Sequence, residues 1–228
     1  MAANATIVAA AFVVSRILGL LREILIARQF GTSGDYDAYV AAFRIPDLLF
    51  LVVMSGAFGS AFIPVFAGFL SRGEQDRAWR LASAVLTYTV LTLLVVGQLV
   101  FIFAGPLMRD IVAPGLAPPQ QDLAVNITRL LLLSPLLLGL GAAAQGMLQA
   151  QDAFTLPAVA PILYNLGIIA GALLLAPTMG VYGLAVGVIV GAAGHAGIQF
   201  AGLIRRGMCF SPTLSRHVQG LGEVARLM

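Results

Sequence analysis

Apolar residues run through this chain in long blocks, and turn residues separate them. Six blocks stand out, at about 6–30, 37–70, 79–104, 123–148, 156–176 and 182–204. Most have the ~20 residues that a helix needs to cross the hydrocarbon of a bilayer. The second is too long for one vertical span, so it is predicted to be tilted, kinked or broken. Pro46, Gly56 and Pro64 are its candidate break points. The remaining stretch, 205–228, is polar and mixed, and reads as a cytoplasmic linker or an interfacial helix. The pattern predicts an all-α polytopic membrane protein with six transmembrane helices over residues 1–204.

Composition sharpens this picture. Of 228 residues, 60% are hydrophobic and only 10% charged, and the mean hydropathy is +0.96. A soluble domain carries about 25% charged residues. So few charges cannot cover a water-soluble globule of this size, and a disordered chain needs the opposite composition. A single cysteine, Cys209, excludes a disulfide framework. The net charge of +3 is spread among apolar runs without a basic cluster, which argues against nucleic acid as a partner.

Arginine in the connecting segments sets the predicted orientation. Arg72 and Arg77 lie between blocks two and three, with Arg80 close by; Arg205, Arg206, Arg216 and Arg226 follow block six. The connections at 31–36, 105–122 and 177–181 hold only Arg109. Both termini are therefore predicted to be cytoplasmic. A cleaved signal peptide is not expected, because no positive residue precedes the first apolar run and arginines lie inside it. Asn4-Ala5-Thr6 and Asn126-Ile127-Thr128 match the glycosylation pattern, but both fall at helix starts and are discounted.

The informative residues are ionisable groups inside the apolar blocks. A charge at mid-bilayer costs ~2.5–3.5 kcal/mol on insertion scales, so such groups face a cavity or a neighbouring helix. Block one carries Ser15, Arg16, Arg22 and Glu23. Arg16 and Glu23 are seven apart, on nearly the same helix face; Ser15 and Arg22 form a second polar stripe. Gly19 lies between them and admits a close neighbour. An Arg16–Glu23 pair that merely locks two helices is one reading. A lock seldom needs two arginines, so a water-filled, cation-lined cavity is the stronger one.

Block two carries Arg44 and Asp47, spaced for a local ion pair, with Ser55 further along. Asp37 sits at its start, where a carboxylate can serve as an N-cap. Block four begins with Asn126 and Arg129, and Arg129 is expected to snorkel to the head groups. Gln145 and Gln149, one turn apart, are expected to hydrogen-bond between helices. Gly183, Gly187, Gly191, His195 and Gln199 recur at steps of four, a small-residue packing stripe in which His195 faces a neighbouring helix. Trp79 is expected to anchor at the membrane interface. Catalytic chemistry finds little support: there is no metal-ligand spacing, no phosphate loop and no nucleophile motif. No cofactor is indicated.

The run Ser15-Arg16-Ile17-Leu18-Gly19-Leu20-Leu21-Arg22-Glu23 is followed by Ala27-Arg28-Gln29-Phe30-Gly31, Asp37-Ala38-Tyr39, Ala42-Phe43-Arg44-Ile45-Pro46, Gly56-Ala57-Phe58 and Ala61-Phe62-Ile63-Pro64. This block resembles the MurJ (MviN) lipid II flippases of the multidrug/oligosaccharidyl-lipid/polysaccharide exporter superfamily. Phe154, Pro157-Ala158, Ala160-Pro161 and Asn165 agree with it. The resemblance implies one six-helix lobe of a two-lobe exporter in the bacterial plasma membrane. It implies a cationic cavity for the pyrophosphate and sugar head of lipid II, or of a similar undecaprenyl-pyrophosphate glycan, moved by alternating access. Arg16, Arg22 and Asp37 match positions the family needs for function, and Ser15 and Glu23 match motif positions beside them. By the same analogy Arg16 and Arg22 bind pyrophosphate, with Arg44 as a further candidate. Ser15, Glu23, Asp37 and Asp47 are then candidates for gating or charge pairing.

The sequence departs from that pattern in two ways. After Arg44-Ile45-Pro46-Asp47-Leu48-Leu49 the family usually carries two arginines, where this chain has Phe50 and Leu51; the acid expected before Gly56 is Ser55. The chain also ends where the family's first lobe does, so a second lobe is expected, in a longer chain or a partner chain. Two alternatives therefore stay open: an exporter of another undecaprenyl-linked glycan or drug, and a membrane scaffold lobe that transports nothing.

Overall fold

A computed structural model describes residues 2–57 and 61–227, with side chains over 6–52 and 61–226. It is helical almost throughout. The order is α1 (Ala2–Phe30), α2 (Gly34–Ala57), α3 (Ile63–Ser71), α4 (Gln75–Pro106), α5 (Pro118–Leu131), α6 (Leu133–Gln149), α7 (Thr155–Ala170), α8 (Ala176–Met179), α9 (Val181–Arg205) and α10 (Leu221–Leu227). A wide turn, Leu107–Val112, extends α4, and another, Gly171–Leu175, joins α7 to α8. Among the described residues, four continuous stretches are long and apolar enough to cross a membrane: Gln75–Val112, Pro118–Gln149, Thr155–Met179 and Val181–Arg205. The helices α1 and α2 have the length, at 29 and 24 residues, but carry the charges discussed above.

Prolines decide where these helices bend, and backbone bookkeeping explains why some do not break them. Pro46 sits inside an unbroken α2. It has no N–H to offer the Ala42 carbonyl four residues back. The Thr128 hydroxyl of α5 donates to that carbonyl instead, at 3.3 Å, so the helix continues. Pro46 is therefore not a break point. α3 begins at Ile63, and Pro64 falls in its first turn, a position that loses no hydrogen bond. Block four is two helices rather than one, because Pro135 cannot donate to the Leu131 carbonyl. The Ser134 hydroxyl takes that carbonyl at 2.8 Å, and the chain breaks at Leu132. Ser55 lies outside the residues whose side chains are described.

The centre of the lobe is the α7–α9 contact. Gly167 and Gly171 on α7 and the wide turn after it meet Gly183, Gly187 and Gly191 on α9. A methyl group on Gly187 would lie 2.9 Å from the Gly167 carbonyl oxygen, and one on Gly171 would lie 2.6 Å from the Gly187 Cα. Only glycine permits this approach. His195 continues the stripe and packs on α6, where a methyl group at Gly141 would lie 2.5 Å from its Nδ1.

A second core lies at the end where α3, α4 and α6 meet, and includes Phe62, Phe66, Leu81, Met147 and Leu148. Trp79 belongs to it: the indole is 6% exposed and meets Phe66 edge-on at 5.4 Å. The expected interfacial anchor is thus a buried core residue, since α3 folds back across the start of α4 and covers it. The polar tail folds back too, with Val224 of α10 buried against this core. Large apolar side chains such as Ile17, Leu94, Val95, Leu99 and Leu174 face outward, as a hydrocarbon solvent allows.

Candidate functional site

Block one folds as a single helix, so residues three, four and seven apart share a face. That face leans on α7 and opens into a cavity of about 670 Å³. Ser15, Arg16, Gly19, Arg22 and Glu23 line it from α1; Pro157, Pro161 and Asn165 line it from α7. A second cavity, of about 450 Å³, adjoins it. Arg22 and Glu23 belong to both, and Arg44, Asp47, Tyr36, Tyr39 and Tyr164 line the second. Four of the expected site residues on α1 thus converge, and Arg44 and Asp47 face the adjoining space.

Asn165 organises the first cavity. It is 7% exposed. Its Oδ1 accepts from the Arg22 guanidinium at 3.1 Å. Its Nδ2 donates to the Ser15 carbonyl at 3.3 Å and to the Pro161 carbonyl at 3.1 Å. One amide therefore fixes α1 to α7 and sets the direction of a cation. Burying a polar group costs little only when its donors and acceptors are matched, and here they are.

The Arg16–Glu23 lock, the weaker of the two sequence readings, does not form. Glu23 pairs with Arg22, whose Nε donates to Oε1 at 3.2 Å, and not with Arg16. The reason is Asn165, which holds the Arg22 guanidinium beside the carboxylate. The Arg16 guanidinium stands 5.1 Å over the Phe12 ring. Among the described residues it forms no ion pair, so it remains available to an anion in the cavity. Arg44 and Asp47 likewise form no ion pair with one another.

Asp37 does not cap α2. The Ser33 hydroxyl accepts from the Tyr36 N–H at 3.3 Å and does that work, leaving Asp37 exposed one turn into the helix. It lines neither cavity. Gln145 and Gln149 line the first cavity, and neither amide makes a side-chain hydrogen bond among the described residues. They present free donors and acceptors to the cavity, where helix–helix bonds were expected. Arg129 donates to the Phe101 carbonyl at 3.2 Å and lies over that ring.

Sequence reasoning missed the aromatic wall of the second cavity. Tyr36, Tyr39 and Phe43 form a ladder on one face of α2, with ring centroids 6.0 and 4.9 Å apart. Their i, i+3, i+7 spacing carries the signal, but the same pattern marks ordinary core. The role of Asn165 was also not legible, since nothing in the sequence shows that it meets Arg22.

Similar proteins agree with this architecture. A relative from Burkholderia cenocepacia named lipid II flippase MurJ is 40% identical over 199 residues, covering 83% of this chain and 37% of that protein. A probable lipid II flippase MurJ from Synechocystis is 36% identical over 73% of this chain and 31% of its own length. A solved structure of lipid II flippase MurJ in an inward closed conformation superposes with a TM-score of 0.73 at 24% identity, over 96% of this chain and 45% of that one. An outward-facing multidrug resistance transporter of the MATE family gives 0.67 at 16%, over 98% and 50%. At these identities the structures establish the fold. The chain spans less than half the length of each of these proteins or, for the MATE transporter, half of it. With the family model for lipid II flippase MurJ matched over residues 26–228, this chain belongs to that family.

Proposed function

We propose that the chain is one lobe of a flippase for lipid II in the bacterial inner membrane, crossing it six times with both termini cytoplasmic. α1 and α2 supply the first two crossings, α3 completes the second, and the four apolar stretches supply the rest. The observation that carries this reading is the cavity at α1 and α7, where Arg16 and Arg22 sit inside an apolar helix beside a buried asparagine. Cations kept in hydrocarbon at this cost need an anionic partner. A pyrophosphate head, with several acceptor oxygens, suits guanidinium groups that can bind two oxygens at once.

In this reading Arg16 and Arg22 meet the pyrophosphate. Glu23 holds Arg22 until the anion competes for it, and Asn165 keeps Arg22 in place throughout. Arg44 adds positive charge from the adjoining cavity; Ser15, Asp37 and Asp47 tune pairing and gating. The sugars meet Gln145 and Gln149, whose amides are unpartnered. A second lobe, in the same longer chain or a partner chain, closes the opposite wall and lets the two rock against each other. Nothing in the cavity resembles a catalytic constellation, and transport needs no bond to be made.

The test is rescue of cells depleted of their own flippase by the full-length protein carrying Arg16→Ala or Arg22→Ala. The account expects both to fail while accumulating normally in the membrane. Rescue by both would remove the assigned roles. One observation favours a related cargo: Leu51, exposed on α2, stands where the resemblance expects an arginine. If the cargo is a different lipid-linked glycan, Leu51→Arg leaves lipid II transport no better than before.

A further inference from the structure

The molecule has another cationic site, away from α1 and α7. It forms where the stretch after α9 crosses the first half of α4. Two contacts pin that stretch: the Ser211 N–H donates to the Ser83 hydroxyl at 3.1 Å, and the Tyr88 hydroxyl donates to the Leu214 carbonyl at 2.8 Å. On one side of the crossing is a cleft of about 420 Å³ that holds Arg77, Arg80 and His217. On the other is a groove of about 570 Å³ formed by Leu86, Val90, Leu140, Phe200 and Phe210, among others.

The two spaces have opposite chemistry. The groove is almost purely apolar. Its one hydroxyl, on Thr87, donates back to the Ser83 carbonyl at 2.7 Å. The cleft carries two guanidinium groups, and only Arg77 has a carboxylate, that of Glu74 at 3.0 Å. Among the described residues Arg80 has none. Arg80 and Thr87 are seven apart on α4, so they share a face ~10 Å apart along the axis. That is the reach of a glycerol ester and the start of an acyl chain.

A charged cleft joined to a greasy groove at one edge of a membrane domain is the outline of a phospholipid. We propose that this surface holds a membrane phospholipid with an anionic head group. Its phosphate lies between Arg77, Arg80 and His217, and one acyl chain lies in the groove beneath Phe210. Charge complementarity selects the head, and the surrounding bilayer supplies it at the end where arginines collect. The bound lipid would clamp the chain after α9 onto α4. The site shares no residue with the α1–α7 cavity, so it stands or falls independently of the cargo proposal.

The experiment is native mass spectrometry of the full-length protein in detergent, titrated with phosphatidylglycerol or phosphatidylcholine of equal chain length. The expected result is a preference for phosphatidylglycerol of about tenfold or more. Arg77→Gln with Arg80→Gln should erase that preference, and Phe210→Ser should weaken retention of both lipids. Both sets of changes are at exposed positions, and unchanged thermal unfolding without lipid confirms the fold. Equal retention of the two lipids overturns the proposal. So does a preference that survives in the Arg77/Arg80 variant, or one lost instead in the Arg16→Ala and Arg22→Ala variant, which would move the lipid to the central cavity. Displacement by inorganic phosphate with no effect of Phe210→Ser would mean that a free anion, and not a lipid, is bound.

Discussion

The helices α9 and α1 are both long enough to cross a bilayer, and they solve opposite problems. Half of the apolar window of α9 is buried, it packs against α7 through glycines, and its only Asp, Glu, Lys or Arg is the terminal Arg205. Among the described side chains of α1, only Ala11 and Ile26 are buried, while Arg16, Arg22 and Glu23 line a cavity. One helix is built into the frame; the other, in the proposed function, meets the ligand. A close-packed pair has few neighbouring states, because interiors transmit any displacement. A helix that leans on one neighbour and carries its charges into a cavity can shift when its partner arrives. The lobe thus reads as a rigid α7–α9 frame bearing a responsive α1 wall.

Predictions that would break this contrast are ordered by size. The largest effect is expected from a side chain forced into the frame. Gly187→Leu places its Cβ within 3 Å of the Gly167 carbonyl oxygen, and neither backbone can move aside. Overpacking typically costs ~1–3 kcal/mol and more where backbone is struck. The variant should therefore fail to accumulate or lose much of its thermal stability in detergent. A stable Gly187→Leu protein would show that the α7–α9 contact is looser than described.

Next come the charges of α1. Alanine at Arg16 should leave thermal stability nearly intact yet abolish rescue of flippase-depleted cells, because its guanidinium faces the cavity and forms no ion pair among the described residues. Stability and function should thus separate on α1 and fall together on α9. Asn165 lies between the two behaviours. Asn165→Leu removes four hydrogen-bond partners from a buried position and should lower both stability, by ~1–3 kcal/mol, and activity. Asn165→Asp keeps the acceptor for Arg22 and should retain more activity than the leucine variant, measured in the same rescue assay. The smallest effect is expected at the Arg109–Asp122 pair, which is more than half exposed on both sides. Arg109→Gln should change stability by less than ~1 kcal/mol.

The apolar blocks were legible in the sequence because a membrane imposes one simple rule, length in hydrocarbon. The last two blocks match α7 with α8 and then α9 to within three residues. The glycine stripe and its continuation to His195 were legible for the same reason, since spacing on one helix reports a shared face. What spacing does not report is the neighbour. Arg16 and Glu23 share a face, yet Glu23 pairs with Arg22 because Asn165 arrives from α7. Pro46 looked like a break, yet Thr128 of α5 repairs it. Trp79 looked interfacial, yet α3 covers it. The candidate charges could be named from sequence alone, but their pairing and the residues that hold them belong to tertiary structure.

The central claim is that Arg16 and Arg22 together form the anion-binding wall of this lobe. It is tested most directly by titrating lipid II onto the purified full-length protein and onto the variant carrying both Arg16→Ala and Arg22→Ala. Charge-assisted hydrogen bonds contribute ~1.5–3 kcal/mol each, so losing both arginines should weaken binding by about 100-fold or more. An affinity unchanged within threefold, in a variant that unfolds at the same temperature, would contradict the account and place the head group elsewhere.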